Sequence, residues 1–477
     1  MSQITPDQAR QVLRQQALAQ STLTGYARYI DIPGVPDDGD VDDRIHTVVE
    51  TPLAPHHIFL LNCLQLLVDG LLVYDPQALD SPIDFGVLRD DERPTGVRSD
   101  GGGSVISVYA PSPKSKIPQP HTLELPNMSQ TYSHGALREI QVMVGGVLNG
   151  RVAPHDAMSV IARHHPELVS CKRVMVMLPP GSAKSTYASV VFPTWVMGKV
   201  KASETILTGW VDPICRRHGK RARQICASPA YAALFGTGLD PNTKAAEDWA
   251  LTNSSSYKSS GINSGVAGFR TNGLIWDDLT KNRKEADSET IRSDIYNAYI
   301  DDARSRKTPS AWEVGIGTRW HEDEIMGRIL PEGYNGESGF IRCRDGNVWF
   351  VVCMAAECER NPDEDPLGRE KGEMLWPEWF DETYWSEKRV NARSWGSLYQ
   401  QRPAPESGIV FKREKFKWYT ELPKGENYIS YDPGVSDVGD ETAMHVWRVD
   451  DAARVVKAVR DIDVYIEQPC LSYEHCV

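Results

Sequence analysis

The chain has 477 residues, with 52 Lys and Arg against 65 Asp and Glu, which gives a formal net charge of −13 at pH 7. Hydrophobic residues make up 40 % of it, enough for ordinary buried cores, which excludes a wholly disordered, collagen-like or coiled-coil chain. The acidic balance excludes a histone-like coat of positive charge, although a local basic stripe can still neutralise nucleic-acid phosphates, and the length predicts two or three domains.

The cysteine pattern and the amino terminus indicate a reduced, cytosolic protein. The 9 cysteines form no CxxC pair, so neither a zinc ribbon nor a secreted disulfide framework is expected. The first residues are polar and lack the apolar run of a signal peptide. The most apolar stretch, residues 58–74, carries Asn62, Gln65 and Asp69 and is too short and too polar for a membrane span.

The amino-terminal part of the chain predicts helices separated by an irregular region. Helices are expected over residues 7–30, 55–74 and 136–165. Residues 75–135 are rich in Pro, Gly, Ser and Asp, which is typical of a long irregular insertion.

From residue 172 onward, short apolar runs alternate with helical patterns. This alternation favours a mostly parallel sheet with helices on both faces. After residue 427 a period-two pattern predicts three short strands. The expected strands of the alternating part are residues 172–178, 205–210, 273–278, 312–318 and 349–356, and the expected helices are residues 184–198, 213–227, 287–304, 321–330 and 376–390.

Residues 178–186 (LPPGSAKST) follow a predicted strand and open a predicted helix, which is where phosphate groups bind to backbone N–H groups. Lys184 is expected to reach the β- and γ-phosphates of a nucleotide, and Ser185 to place its hydroxyl on Mg²⁺. Ala183 and Leu178 stand where the GxxxxGK[ST] pattern has glycines, and the alternative is a capped strand-to-helix turn with a surface lysine. The expected ATP contacts are Pro180, Gly181, Ser182, Ala183, Lys184, Ser185 and Thr186.

A second strand end carries two acids, in residues 273–278 (GLIWDD). In a phosphate-loop ATPase the first acid at this place holds Mg²⁺ and the next polarises the attacking water, and Asp277 and Asp278 fit these roles in that order. The alternative is a strand that ends in a helix cap. Together with the phosphate loop, the acidic pair favours an ATPase.

Three further features are candidates for the same reaction. Thr318 ends a predicted strand and is the candidate for sensing the γ-phosphate, with a helix cap as the alternative. Arg270, just before the acidic strand, is a candidate arginine finger. The basic run at residues 215–223 (CRRHGKRAR) has three alternative roles: it faces DNA phosphates, a neighbouring ATP or solvent.

With these motifs in hand, the chain resembles the large subunit of a tailed-phage terminase, the motor that packages DNA into capsids. The resemblance covers roughly residues 170–477 and is weaker around residues 20–70. Its motifs are the deviant phosphate loop (178–186), the acidic strand (GLIWDDL, 273–279), the coupling motif (GTRWH, 317–321), the linker into a nuclease domain (397–411) and the first nuclease strand (YISYDPG, 428–434).

The resemblance implies a fold, an activity and partners. The expected fold class is α/β, a P-loop NTPase sheet with helices on both faces, followed by the first strands of an RNase H-like domain. The implied ligands are ATP and Mg²⁺. The implied partners are double-stranded DNA, the portal protein, the small terminase subunit and further copies in a ring, in the host bacterial cytoplasm and not in the virion. Residues 53–57 (LAPHH) match the position of an adenine-contacting segment.

The resemblance also implies a two-metal nuclease site in the last part of the chain. Asp432 is the expected first metal ligand and catalytic residue, and Asp440 resembles a nearby acid of the family, with a turn-forming Asp as the alternative. The family's remaining ligands lie further along than Val477, and nothing supports Glu467 as a substitute. We therefore expect an incomplete second metal site, an inactive nuclease and an exposed sheet edge.

Two other functions compete with the packaging motor. One is a helicase-like ATPase that acts on nucleic acid without packaging, and the other is a non-catalytic prophage remnant that binds DNA or a partner. The expected domains are residues 1–74, the N-terminal helical region; 75–170, the insertion with helices; 171–330, the P-loop ATPase core; 331–425, its C-terminal part and linker; and 426–477, a partial RNase H-like domain.

Overall fold

A computed structural model of the chain divides into two compact units, Met1–Ser407 and Gly408–Val477. The residues that the structure describes are 6–36, 46–49, 51–80, 104–110, 119–125, 134–243, 245–264, 268–403, 425–432, 443–450 and 455–457.

Helices make up much of the first unit, and none of those within the described residues combines the length and the apolar character needed to cross a bilayer. They are α1 (Pro6–Ser21), α2 (Leu23–Tyr29), α3 (Pro55–Val68), α4 (Pro76–Asp80), α5 (His134–Leu148), α6 (Pro154–His164), α7 (Phe192–Lys199), α8 (Asp212–Cys226), α9 (Pro229–Phe235), α10 (Arg283–Asp287), α11 (Glu289–Ala298), α12 (Ile325–Ile329), α13 (Glu382–Arg389) and α14 (Ala392–Ser394). Wider, π-helical turns cover Thr186–Val191, Tyr299–Ala303 and Trp395–Tyr399.

The strands belong to one large sheet and several small ones. They are β1 (Pro33–Pro36), β2 (His46–Val48), β3 (Val73–Tyr74), β4 (Ser104–Ala110), β5 (Gln119–Leu125), β6 (Val169–Ser170), β7 (Arg173–Met177), β8 (Glu204–Gly209), β9 (Asp248–Ala250), β10 (Ser256–Gly261), β11 (Thr271–Asp277), β12 (Lys307–Gly317), β13 (Gly339–Arg342), β14 (Val348–Cys353), β15 (Gly425–Asp432), β16 (Ala443–Asp450) and β17 (Val455–Lys457).

The large sheet has eight strands in the order β13-β14-β7-β12-β11-β8-β10-β9. All neighbours pair in parallel except the two edge strands, β13 and β9, which are antiparallel. Its inner strands are apolar runs because helices cover both faces. Along β7, Val174 and Val176 enter one hydrophobic cluster while Met175 and Met177 enter the other, as the alternation of strand side chains requires. The predicted α/β sheet is confirmed.

The strand order brings the three sequence motifs to one edge. β12 lies between β7, which leads into the phosphate loop, and β11, which ends in the acids. Its register pairs Gly317 with Met177 on one side and Ile316 with Asp277 on the other. The carboxyl ends of parallel strands form the usual ligand-binding edge of such a sheet, so Thr318 emerges between the phosphate loop and the acids.

Two predicted helices differ from the observed ones for local reasons. The helix expected over 7–30 is broken, because Thr22 caps α2 by accepting the Gly25 N–H at 3.0 Å. A Cβ on Gly25 would lie 2.6 Å from the Leu18 carbonyl oxygen, so this turn requires glycine. The helix expected over 55–74 ends at Val68, because Gly70 takes φ +75° and the chain then enters β3.

The prediction of an irregular insertion is wrong for part of residues 75–135. There β4 and β5 pair as antiparallel strands, from Ser104 opposite Leu125 to Ala110 opposite Gln119. The Pro- and Gly-rich composition indicated turns but hid the two short strands. Two helices also begin later than expected, α12 at Ile325 and α13 at Glu382.

The second unit contains the three strands predicted after residue 427. β15, β16 and β17 form an antiparallel sheet in that order. Asp432 ends β15 opposite Ala443.

Candidate functional site

The phosphate loop turns sharply from β7 into the helical segment that continues as α7. Gly181 has φ +82°, and a Cβ there would lie 2.7 Å from Cζ of Phe380. Ala183 has φ +58°, a left-handed conformation that costs an L-residue about 1–2 kcal/mol. The loop pattern has glycine at the position of Ala183, and the backbone keeps the glycine-like conformation although the residue has changed.

Lys184 joins the phosphate loop to the other two motifs. Its side chain is buried, and Nζ donates to Thr318 Oγ1 at 2.9 Å and lies 3.6 Å from Asp278 Oδ2. The backbone N–H of Thr318 donates to Asp278 Oδ1 at 3.0 Å. Three residues predicted from separate segments thus form one connected triangle.

Asp277 is buried and held by hydroxyl groups of the phosphate-loop helix. Ser185 Oγ donates to its Oδ1 at 3.0 Å and Ser189 Oγ to its Oδ2 at 2.6 Å. Burial raises the pKa of Asp277, while the bond from Ser189 and the charge of Lys184 oppose this shift. Ser189 was missed in the sequence, because it reaches the acid from a π-helical turn that no sequence pattern signals.

Asp278 opens onto the cavity, with 36 % of its side chain exposed. Burial of the rest of the side chain raises the pKa of Asp278. The charge of Lys184 lowers this pKa, and the neighbouring carboxylate of Asp277 raises it. Its backbone takes φ +43°, which is strained for an L-residue, and its N–H donates to the Ile316 carbonyl at 2.9 Å. The fold therefore holds this carboxyl group in a fixed position, although its backbone conformation and the burial of its charge are both unfavourable.

A cavity of about 440 Å³ lies over the triangle. Two aromatic residues at strand ends were missed as part of it: Trp210 after β8 and Trp320 after β12. Lys281 Nζ sits 4.8 Å from the centroid of the Trp210 ring. The lining residues are Pro180, Gly181, Ser182, Ala183, Lys184, Ser185, Thr186, Trp210, Asp278, Thr280, Lys281, Thr318 and Trp320.

The residues fit a magnesium ion of the kind that accompanies nucleotides. No group of three or more His, Cys, Asp or Glu side chains that could hold a metal occurs in the part of the chain that the structure describes. Mg²⁺ needs no such cage, since it is usually held by one or two protein oxygens, water and substrate phosphates. Ser185 and Asp277 supply that oxygen pair, and Ser182 Oγ lies buried at the cavity with no hydrogen-bond partner among the described residues.

The basic run at 215–223 lies on α8, and part of it turns inward to the site. Arg221 is buried and donates to Thr186 Oγ1 at 2.9 Å and to the Pro33 carbonyl at 2.8 Å, and burial lowers its pKa to about 10. His218 Nε2 lies 3.8 Å from Asp277 Oδ2, and burial lowers its pKa to about 3. Arg217 is exposed. Of the alternatives left open, none applies to Arg221, because it is buried against the phosphate loop of its own chain.

Other predicted residues lie away from this site or outside the described residues. Arg270 is exposed, donates to the Ser305 carbonyl at 3.2 Å and precedes β11, so the strand of 7 residues, roughly 20 Å, separates it from the acidic end. This placement does not support Arg270 as an arginine finger within its own chain. Asp440 and Glu467 lie outside the described residues, and a metal at Asp432 stays a prediction.

The segment matched to adenine contacts lies beneath the phosphate loop. His56 and His57 are buried, and Nε2 of each ring lies within hydrogen-bond distance of the Ser182 carbonyl, at 3.3 and 3.1 Å. Neither ring lines the cavity described above.

Comparisons with known proteins give structural likenesses only. No protein-family model and no curated protein matches the chain. Among solved structures, it is similar to a variant of the large terminase ATPase domain of Thermus phage P74-26, at 14 % identity and TM-score 0.33, over 49 % of this chain and 90 % of that one.

Two other phage proteins show similar likenesses. The large terminase of a thermophilic bacteriophage in complex with ADP is 10 % identical, with TM-score 0.31, over 59 % of this chain and 60 % of that one, so the match spans less than two thirds of that terminase. The Phi-28 gp11 DNA packaging motor is 11 % identical, with TM-score 0.28, over 60 % of this chain and 79 % of that one. The fold assignment rests on the strand order and the phosphate loop.

Proposed function

We propose that the chain is the ATP-hydrolysing motor of a phage large terminase, which drives double-stranded viral DNA into a procapsid. The observation that carries the ATPase part is the triangle of Lys184, Thr318 and Asp278 at the carboxyl edge of the sheet. A phosphate-binding lysine, an acid and a strand-end threonine meet there around a cavity large enough for a ligand.

In the proposed reaction, the chain's own groups bind the triphosphate and prepare the water. The phosphate loop surrounds the phosphates with backbone N–H groups, and Lys184 neutralises the charge that develops on the transferring phosphoryl group. Asp278 accepts a proton from the attacking water, which its partly exposed position at the cavity permits. Ser185 and Asp277 would hold Mg²⁺, which would supply charge neutralisation and orientation of the phosphates.

Thr318 is suited to report the state of the nucleotide. Its hydroxyl accepts from Lys184 and its N–H donates to Asp278, so a phosphate oxygen that bonds to Lys184 competes with the Thr318 hydroxyl for the lysine, while the bond to Asp278 ties Thr318 to the catalytic acid. The next residue continues the path, because the Arg319 N–H donates to Gln401 Oε1 at 3.2 Å and its guanidinium bonds to Glu324 at 2.8 Å. Phosphate release can therefore shift the segment around residue 401, which follows the ATPase sheet.

The partners follow from the proposed motor. We propose that the chain acts with double-stranded DNA, a portal protein and a small terminase subunit, as a ring of copies in the host cytoplasm. The exposed Arg217 of α8 is available to DNA or to a neighbouring copy, unlike Arg221, which is sealed against the phosphate loop.

An ATPase assay with and without double-stranded DNA tests the ATPase proposal. Lys184→Ala should lower turnover about a hundred- to a thousandfold or more, because it removes the charge aimed at the phosphates. Lys201→Ala, at an exposed position on the same unit, is the matched control and should keep normal turnover. Unchanged turnover in Lys184→Ala would remove the phosphate loop from the mechanism. Turnover that responds to DNA but never to a portal protein would favour the helicase-like alternative.

The nuclease part is tested by metal-dependent cleavage of plasmid DNA by the purified chain. An inactive nuclease is the prediction from the sequence. Robust cleavage that disappears in Asp432→Ala would show that prediction wrong and identify Asp432 as a ligand.

A further inference from the structure

The two neighbouring histidines His56 and His57 contact one backbone carbonyl of the phosphate loop. They stand in the first turn of α3, far from the loop in sequence, with ring centroids 3.9 Å apart. Each places Nε2 near the Ser182 carbonyl oxygen, His56 at 3.3 Å and His57 at 3.1 Å. A carbonyl oxygen has two lone pairs and can accept from both rings at once.

The protonation of the rings can be assigned from their other contacts. His57 Nδ1 accepts the Ala54 N–H at 3.1 Å, so in the neutral ring the proton must lie on Nε2, which then donates to Ser182. Burial keeps both rings neutral, because it lowers the pKa of His57 to about 3 and that of His56 well below its usual value. His56 Nδ1 is buried with no partner among the described residues. The polar contact that the His56 ring makes among those residues therefore joins Nε2 to the Ser182 carbonyl.

Two aromatic rings pack against the histidine pair. The Trp376 ring meets both imidazoles edge-on, at 5.2 and 4.6 Å between centroids, and Tyr187 lies 4.4 Å from His57. Ser182 is buried, and the two histidines are the side-chain donors to its carbonyl among the described residues. A buried carbonyl without a hydrogen-bond donor costs free energy, so the Ser182 carbonyl is expected to stay directed at the two imidazole rings.

The direction of this carbonyl fixes the next N–H of the loop. In a trans peptide the C=O and N–H bonds point to opposite sides, so the Ser182 carbonyl directed at the histidines turns the Ala183 N–H away from them. Ala183 lines the cavity and has φ +58°, the conformation that glycine adopts easily and alanine does not. The loop thus holds a strained peptide in place without the glycine that usually permits it.

We propose that His56 and His57 are positioning residues that hold the Ser182–Ala183 peptide in the orientation that presents the Ala183 N–H to the nucleotide phosphates. They thereby stabilise a backbone conformation that a glycine at position 183 would adopt without strain. This inference rests on the proposed ATP site. It gives the histidine pair a role beneath the phosphates and none at the adenine.

The test compares binding of ATP, ADP and adenosine to the full chain by calorimetry. His56→Phe keeps a flat ring under Trp376 but removes the donor, and should weaken ATP and ADP binding roughly three- to tenfold. His56→Gln places an amide N–H near the position of Nε2 and should bind within about twofold of the unaltered chain, since Nδ1 has no described partner to lose. Binding of adenosine, which lacks phosphates, should not change.

A second variant distinguishes positioning from general stability. Ala183→Gly removes the strain of the left-handed backbone, so in that background His56→Phe should weaken ATP binding less than it does alone. If thermal unfolding shows that His56→Phe is too unstable on its own, His56→Phe and His56→Gln are compared in the Ala183→Gly background, where His56→Phe should still bind ATP more weakly.

Three outcomes would overturn the inference. They are equal ATP affinity in His56→Phe and the unaltered chain, equal losses in His56→Phe and His56→Gln, and a loss that Ala183→Gly leaves unchanged. Each of these leaves the ATPase proposal standing, provided that the unaltered chain binds ATP. Failure of the unaltered chain to bind ATP with Mg²⁺ overturns both proposals.

Discussion

Two clusters of buried charge lie on the same sheet and differ in access. At the carboxyl edge, Lys184 and Asp278 meet at a cavity and Asp278 is partly exposed. Toward the other edge, Glu313 of β12 lies beside Arg173, the first residue of β7, and is fully buried. One strand, β12, therefore connects an open charged site to a sealed one.

The sealed cluster satisfies its carboxylate completely. Glu313 Oε1 accepts from Trp276 Nε1 at 3.2 Å and Tyr299 Oη at 2.6 Å, and Oε2 accepts from Lys307 Nζ at 2.6 Å. By contrast, Asp278 has a strained backbone and a raised pKa. A buried carboxylate whose oxygens are all hydrogen-bonded, such as Glu313, stabilises the fold. A carboxylate in an unfavourable position beside a cavity, such as Asp278, indicates a functional site.

Replacement of Asp278 gives the largest expected effect and should separate stability from activity. Asp278→Asn should lower ATP turnover about a hundred- to ten thousandfold, because an amide cannot accept the proton from water. The same variant should unfold at a higher Tm at pH 7, since the fold disfavours the charged carboxylate and asparagine tolerates the left-handed backbone better. Turnover and thermal unfolding of the two proteins measure both effects.

The pH dependence of that Tm difference is a control with a defined sign. A carboxyl group with a raised pKa in the fold contributes stability at low pH and loses it as the pH rises through that pKa. The advantage of Asp278→Asn should therefore shrink as the pH is lowered toward about 4, the ordinary range of the group, where Asp278 is protonated too. An advantage that stays constant with pH would contradict the assigned cause.

Replacement of Glu313 should have the opposite outcome. Glu313→Gln leaves Lys307 charged and buried without its anion, which should cost about 3–5 kcal/mol of unfolding free energy. Turnover per folded molecule should stay normal, because the residue lies away from the cavity lining. Urea unfolding and ATPase assays measure the two.

The double variant Glu313→Gln with Lys307→Met is the matched control for the sealed cluster. It removes both charges and should recover part of the lost stability. A large fall in turnover of the folded Glu313→Gln protein would show that the two clusters are coupled through β12.

Ser189 gives the smallest expected effect at the open cluster. Ser189→Ala removes one hydrogen bond to Asp277 and should lower turnover by roughly two- to tenfold, with nucleotide binding kept through Ser185. Ser260→Ala is the matched control, since Ser260 Oγ is buried with no partner among the described residues. Equal activity of the two variants would mean that Ser189 only fills space.

Much of the site could be predicted because its signals are local. The phosphate loop and the two acids each follow an apolar strand, and strand ends are readable from short-range pattern and residue type. Ser189 was not predictable, because a π-helical turn changes which side chains face the acid without leaving a mark in the sequence. The pair β4 and β5 was missed for a related reason, since short strands in a turn-rich stretch show little pattern.

By itself, the sequence determined the strand–helix alternation, the phosphate loop and the acids at strand ends, because hydrophobic period and turn chemistry act over a few residues. Only the tertiary structure decided that β12 lies between β7 and β11, which brings Thr318 to Lys184 and Asp278. It also decided that His56 and His57 meet the Ser182 carbonyl and that Arg221 turns inward. These contacts join residues far apart in the chain, and packing of the whole sheet and its helices selects them.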